Sequence, residues 1–371
     1  MTEMTSADLG ARIREARERR GLNQAGLGER LQLDRTMVNK IENGTRKVSA
    51  LELSQIAAAL RVQMVSFFST PAPAIVSHRS SQGLEVIDSQ IDALLDQLVA
   101  DVELIQDLGA LEHREVHGDH PDVPLTPADA ERMAGRARAS AGLEADAPAK
   151  DLQRLFADVG LLVFTRDLGT DTADAGTVLL RDATGVSIIN SAQKVGRRRL
   201  AAVHEFGHFL VCDDYSVDWG VTAGGQQTEG LLDHFARSFL LPERGLRELW
   251  RRMMVDGLRA AAIVTASTFQ VDMATLARRL SDLEMVTGAQ AGQIRQFRTS
   301  SADMIEHDLY PHDDMAGTTQ PRVFQQAVLR LVRDELISGA RALELLWGTI
   351  DESDLPAPHV VADADIWQFV S

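Results

Sequence analysis

Two histidines four residues apart, His204 and His208, lie in the apolar stretch LAAVHEFGHFL, with Glu205 next to the first. On a helix such residues share a face, so both imidazoles can reach one metal ion, and the glutamate lies close enough to act on a water held there. The chemistry that this arrangement serves is metal-assisted hydrolysis with a carboxylate as general base. A hydrolytic zinc site needs a third protein ligand and one open position. Glu229, about twenty residues downstream in TEGLLDHFARSFLLP, is the better candidate for that ligand. Asp233 lies one helical turn further along, where it could accept a hydrogen bond from the far nitrogen of a ligating histidine. Taken alone, Glu229 and Asp233 could equally be a solvated helix face, and the histidines could be buried and satisfied by backbone carbonyls. Closure of the site by Cys212, Asp213 or Asp214 would make a structural zinc site and leave Glu205 without a role.

The metal-bearing segment needs a support. From Asp151 to Val163, DLQRLFADVGLLV predicts a helix burying Leu152, Leu155 and Phe156, followed by a strand. Thr177 to Leu180 and Val186 to Ile189 are short β-prone runs around Gly185, which predict a hairpin leading to Asn190 and then, past Arg197 to Arg199, into the metal helix. From Arg244 to Ile294 amphipathic helices dominate, with Phe269, Val271, Leu276 and Leu280 on apolar faces. Within them FQVDMATLARRL has the look of a helix-turn-helix, but its basic residues are few and core packing is the expected use. His307 and His312, in EHDLYPHDD, are irregularly spaced and read as loop residues, and the helical pair Val323 to Leu336 and Ala340 to Leu346 ends the ordered chain.

With 371 residues the chain exceeds the usual size of one domain. A formal charge of −16 argues against general affinity for nucleic acid, so any phosphate-binding surface must be local. The first 68 residues carry a net charge of +3, and the remainder is strongly acidic. One cysteine permits no intrachain disulfide. Neither a signal peptide nor an apolar run long enough to span a membrane is present, so the cytoplasm is the expected compartment.

The basic end is built from short amphipathic helices, with Leu9, Ile13 and Ala16, Leu27 and Leu31, Met37, Val38 and Ile41, and Leu53, Ile56 and Leu60 on apolar faces. Asn23 can cap a helix starting near Gln24, and Asp34 one starting near Arg35, with a short Gln32-Leu33 turn between. This is helix-turn-helix spacing. Through GLNQAGLGERL, DRTMVNKIENG and LSQIAAAL the segment resembles the Xre, or lambda-repressor-like, family of DNA-binding domains. That resemblance implies that Gln24 anchors on a phosphate while Arg35, Thr36, Asn39 and Lys40 face the major groove, and that Glu42 and Asn43 hold the following turn. Ser69 to Gln82 reads as a linker. Ile87, Ile91, Leu94, Leu98, Val102, Ile105 and Leu108 then form the stripe of a helix of about 25 residues, open to use as a homodimer seam on a palindromic operator or to packing on its own chain. Thr126 caps a further helix after a loop from His113 to Pro124.

Val211 and Asp214 stand where the metzincin pattern would place a glycine and a third histidine, which rules that subclass out. Through RRRLAAVHEFGHFL and EGLLDHFARSFLLP the central segment resembles the ImmA/IrrE family of metallopeptidases, over about Asp151 to Pro242 and more weakly to FQVDMATLARRLSDLEMV. It departs mildly in carrying Leu232-Asp233 where that family often has Ala-Asn. The resemblance implies a gluzincin-like zinc peptidase with His204, His208 and Glu229 as ligands and Glu205 as base, active constitutively or only when triggered. The expected architecture is mainly α with a small β-sheet (α+β): a helix-turn-helix bundle over residues 1–68, a linker and long helix over 69–125, a zincin-like domain over 126–297 and a helical region over 298–371. The expected function is a DNA-binding regulator that cleaves a regulatory protein partner. The alternative is a repressor or antitoxin of a toxin-antitoxin pair in which the zincin fold senses or binds a partner encoded nearby.

Overall fold

The computed structural model describes residues 5–19, 22–31, 33–60, 67, 75–79, 89–112, 122–169, 174–180, 182–211, 225–310 and 312–357. Cys212, Asp213, Asp214, Gln32 and most of the stretch from His113 to Pro124 lie outside these residues. The chain divides into two compact units, Met1–Pro73 with Glu85–Asp96, and Ala74–Leu84 with Gln97–Ser371.

The first unit holds α1 (Ser6–Arg19), α2 (Gln24–Leu31), α3 (Arg35–Glu42) and α4 (Ala50–Leu60). Ile13, Leu27, Val38, Ile41, Leu53, Ile56 and Leu60 meet in its core. Asn23 accepts a hydrogen bond from the Gly26 amide at 2.8 Å, and Asp34 one from the Met37 amide at 2.7 Å, so side-chain oxygens satisfy first-turn donors of both helices of the pair. Glu42, fully buried at the end of α3, accepts from Arg17 Nε at 2.6 Å and Nη2 at 3.1 Å, pinning α3 to α1. Burial would raise the Glu42 pKa, but hydrogen bonds from Arg17 and Gln24 and the charges of Arg17 and Arg14 bring it below the usual value.

Helix α5 (Ser89–Asp107) runs through the boundary between the units. Its apolar stripe, Ile91, Leu95, Leu98, Val102 and Ile105, is buried within a single copy of the chain. These five residues are thus covered by the chain's own packing.

The second unit continues through α6 (Pro127–Ser140), α7 (Leu152–Asp158), β2 (Leu161–Arg166), β3 (Ala175–Leu179), β4 (Gly185–Asn190), α8 (Val195–Val211) and α9 (Gly225–Leu240). The predicted hairpin is β3–β4, with Thr177 opposite Ser187. The stretch read as a linker contributes a strand, β1 (Ile75–Arg79), which pairs antiparallel with β3. The four-stranded sheet has the order β1-β3-β4-β2, with β2 and β4 parallel. Helix α8 packs across the sheet and against α9, which in turn packs on α6. Phe156 and Phe206 stack at 4.4 Å, and Phe235 and Phe239 complete an aromatic core between α7, α8 and α9.

Beyond α9 come α10 (Glu243–Met253), α11 (Leu258–Phe269), α12 (Met273–Asp282), α13 (Gly288–Gln296), α14 (Ser301–Glu306), α15 (Arg322–Arg333) and α16 (Gly339–Leu345). Among the described residues no single helix is long and apolar enough to cross a membrane; α11 and α12 pass that test only as a pair bent by 104°, and both contribute to the core. The end of the chain belongs to this second unit. Thr319 exchanges backbone hydrogen bonds with Thr165 at the far edge of β2, and Phe324 meets Phe164 edge to face. Asp314 pairs with Arg199 of α8, whose guanidinium is completely buried and also donates to the Ala149 carbonyl at 2.6 Å.

Asp314→Asn strands the Arg199 charge in the interior, and such a loss costs about 3–5 kcal/mol. Urea unfolding should register that loss, and Arg199→Met combined with Asp314→Leu, which removes both charges, should recover much of it. Equal stability of Asp314→Asn and the native chain would show that the pair does not anchor α8.

Candidate functional sites

Helix α8 forms because a long run without proline alternates small and apolar residues, and the sheet covers one side of it. Glu205 is on the sheet side, with no exposed surface, and its Oε2 accepts a hydrogen bond from Thr177 Oγ1 of β3 at 2.6 Å. Thr177 is in turn hydrogen-bonded to Ser187 across the β3–β4 pair, and Ser187 Oγ donates to the Gly176 carbonyl at 3.3 Å. One hydroxyl of the sheet, that of Thr177, therefore holds Oε2 of this carboxylate, with Ser187 behind it. Thr177 and Ser187 were not legible as site residues, because in sequence they read only as β-prone positions.

On the other side α8 meets α9 at Gly207. A Cβ built there would stand 3.0 Å from the Phe235 ring and 3.3 Å from Leu232, so the missing side chain is what lets α9 come this close. The approach brings Glu229 onto the histidines. His204 Nε2 lies 3.1 Å from His208 Nε2 and 3.1 Å from Glu229 Oε2, and His208 Nε2 lies 3.3 Å from Glu229 Oε1. Asp233 Oδ1 stands 3.0 Å from His204 Nδ1, as the one-turn spacing from Glu229 predicted. Among the described residues this is the group of donors that could hold a metal ion, and His307 and His312 are not part of it.

The chemistry of the donor set fits a cation. Metal–ligand bonds of about 2.0–2.1 Å at tetrahedral angles place ligand atoms roughly 3.3–3.4 Å apart, close to the spacings seen here. A carboxylate beside Nδ1 of His204 favours the proton on that nitrogen, which turns the lone pair of Nε2 toward Glu229 and His208. Acceptors facing one another at this distance need a positive charge between them. Burial raises the pKa of Glu229; with protons on the Nε2 atoms in the place of that cation, His204 and His208 donate to it, which outweighs burial and holds the carboxylate well below its ordinary range.

Beside the cluster, His234 follows Asp233 on α9. Its Nε2 lies 3.0 Å from Glu131 of α6, and Glu131 also receives both terminal nitrogens of Arg279, a fully buried residue of α12. Arg237 pairs with Asp282 at 3.2 Å. These ion pairs bind α6, α9 and α12 together behind the site. Although burial works against it, hydrogen bonds from His234 and Arg279 lower the Glu131 pKa from 4.5 to about 2.

In the first unit α3 turns Val38 and Ile41 inward and leaves Arg35, Thr36, Asn39 and Lys40 exposed along one face. Gln24, at the start of α2, is half-buried; its amide donates to Glu42 at 2.9 Å and to Asn39 at 3.2 Å. Gln24 and Arg35 also line one open concavity together with Arg17, Asn23 and Ala25. The amide predicted to meet a phosphate thus also positions the outward face of α3.

Residues 13–67 match a family model described as helix-turn-helix, and residues 156–281 match one described as IrrE N-terminal-like domain. The N-terminal bundle is therefore a helix-turn-helix of the Xre-like kind, and the core of the second unit is a metallopeptidase-type domain. An uncharacterized HTH-type transcriptional regulator, y4wC, of Sinorhizobium fredii is 35% identical over 80 residues, covering 22% of this chain and 56% of that protein. A solved structure described as a Mycobacterium tuberculosis transcriptional regulator is similar at 20% identity with a TM-score of 0.30, covering 49% of this chain and 51% of that one. The chain thus spans about half the length of each of these relatives.

Gly207→Val should push α9 from α8 and weaken binding of a divalent metal about 10-fold to 100-fold. Competition with a chromophoric chelator measures this, with circular dichroism to show that the helices persist; undiminished affinity would mean that the close approach does not set the site. A carboxylate whose folded pKa is depressed contributes stability above its unfolded pKa and loses it on acidification. The stability gap between the native chain and Glu131→Gln should therefore be full at pH 7 and shrink as pH falls from 4.5 toward about 2, as urea titrations across that range would record.

Proposed function

We propose that this chain is a DNA-binding regulator whose second unit is a zinc-dependent endopeptidase acting on a regulatory protein partner, such as a repressor. The observation that carries this reading is the triangle of donor atoms from His204, His208 and Glu229, spaced as a tetrahedral zinc site requires, with Glu205 next to His204 in the chain and held by Thr177. When bound, zinc would supply Lewis acidity toward a peptide carbonyl and toward a water. His204, His208 and Glu229 would hold it, and Asp233 would keep His204 turned the right way. Glu205 is the residue that would accept the proton of an attacking water and pass it to the leaving amine. Its orientation by Thr177 precedes the reaction, so no reorganisation of the carboxylate is needed at that step.

The other half of the reading rests on α3. Arg35, Thr36, Asn39 and Lys40 form a polar outward face on a short helix whose inner face is locked into the bundle, as a major-groove reader requires. In a chain of net charge −16, this local basic face is where an acidic polymer can be met. Joining a reader of operator DNA to a hydrolase suggests that the substrate is a protein of the same regulatory circuit.

Purified Glu205→Gln protein should carry zinc in the same amount as the native chain yet fail to cut a partner encoded beside it. Cleavage at the native rate would remove Glu205 from the chemistry. Asn39→Ala should weaken binding to the operator by about 1–3 kcal/mol in a gel shift while leaving zinc content unchanged, and undiminished binding would take α3 out of base recognition.

A further inference from the structure

We propose that the outer edge of β3 is the surface on which an extended peptide reaches the metal site, and that residues 75–79 of this chain occupy it in the resting protein. The inference rests on the peptidase reading above for what is cut, but not for what binds. Strand β3 is central to the site: its Thr177 holds Glu205, and its other neighbour, β4, supplies Ser187 to the same network. Without β1 it would be an edge strand, presenting an unpaired row of amides and carbonyls of the kind that recruits another extended chain.

Strand β1 fills that row. Its residues run antiparallel to β3, with Ser77 opposite Thr177, His78 opposite Gly176 and Arg79 opposite Ala175. Adjacent strands lie about 4.8 Å apart, so the backbone at Ser77 is one strand-width from the residue that orients the base. Helix α8, which carries His204, Glu205 and His208, packs against β1 as well as β3. A peptide that approached the site by adding a strand to β3 would need the path that β1 takes, and both cannot be there together.

The pairing is built to be displaced. It extends over five residues and its register is broken between Ile75 and Ser77, a bulge that interrupts the ladder. Residues 75–79 also lie in the stretch that connects the helix-turn-helix to the rest of the chain, where the sequence reads as a linker rather than as part of the enzyme core. The partner of this surface is therefore an extended segment of an unfolded or loosely held protein, recognised largely through its backbone. The protein's own segment acts as a competitor in cis.

The test uses the full-length chain and its Val76→Pro/Ser77→Pro variant, since a proline at position 77 cannot donate the amide that faces β3 opposite Thr177. A fluorescein-labelled peptide of sequence AIVSHRS is the probe. Hydrogen exchange should show the amides of Ala175 and Thr177, which alternation along β3 turns toward β1, protected in the native chain, exposed in the variant and protected again when the peptide is added. Fluorescence anisotropy should show the peptide binding the variant about 10-fold or more tightly than the native chain, because a closed edge open in at most about a tenth of molecules lowers apparent affinity by that fraction. Equal protection of Ala175 and Thr177 in both proteins, or equal affinity of both for the peptide, would overturn the proposal. Neither readout depends on zinc or cleavage, so failure here is distinguishable from failure of the peptidase reading, which the zinc content and activity of Glu205→Gln decide.

Discussion

The close packing of α8 and α9 at Gly207 is the constraint on which the site depends. Two histidines on one helix supply only an edge of a coordination polyhedron, and the third corner must come from a residue distant in sequence. At Gly207 the ring of Phe235 and the side chain of Leu232 stand only 3.0 and 3.3 Å from where a Cβ would be, and about one helical turn up α9 from Leu232, Glu229 meets His204 and His208. The aromatic core beneath, Phe156, Phe206, Phe235 and Phe239, keeps the two helices at that separation. Apolar burial in this unit thus becomes a distance of about 3 Å between charged and polar donors.

The sheet performs the complementary task. A general base next to a metal ligand on a helix would be free to rotate toward solvent, and the hydroxyl of Thr177 removes that freedom by binding one carboxylate oxygen in the interior. The chain end contributes to the same rigidity from outside the segment that carries the motif. Asp314 neutralises Arg199 at the start of α8, and Thr319 lengthens the far edge of the sheet beside β2. Residues 313–319 therefore help hold a helix more than a hundred positions earlier in the sequence.

Much of this was legible in the sequence, for physical reasons that can be named. Local rules located α2 and α3 by their capping residues Asn23 and Asp34, the β3–β4 hairpin by its β-branched runs about Gly185, and the two pairs His204–His208 and Glu229–Asp233 by helical spacing. Contacts that depend on tertiary geometry were not legible. Thr177 and Glu205 are joined only because the hairpin is laid under α8, and Arg199 meets Asp314 across a separation in sequence that no periodicity encodes. The strand at Ile75–Arg79 was hidden because its neighbours are proline- and serine-rich and because a strand paired to a distant edge has no local signature. The stripe of α5 shows the converse: its periodicity was clear in the sequence, while the burial of Ile91, Leu95, Leu98, Val102 and Ile105 within one chain was not.

The central claim is the identity of the ligands, and X-ray absorption at the zinc edge tests it most directly. For the purified full-length protein loaded with one equivalent of zinc, the account predicts a four-coordinate ion with only nitrogen and oxygen neighbours at about 2.0–2.1 Å, including the scattering signature of two imidazoles. A sulfur shell at about 2.3 Å would place Cys212 on the metal and contradict a hydrolytic site built from His204, His208 and Glu229.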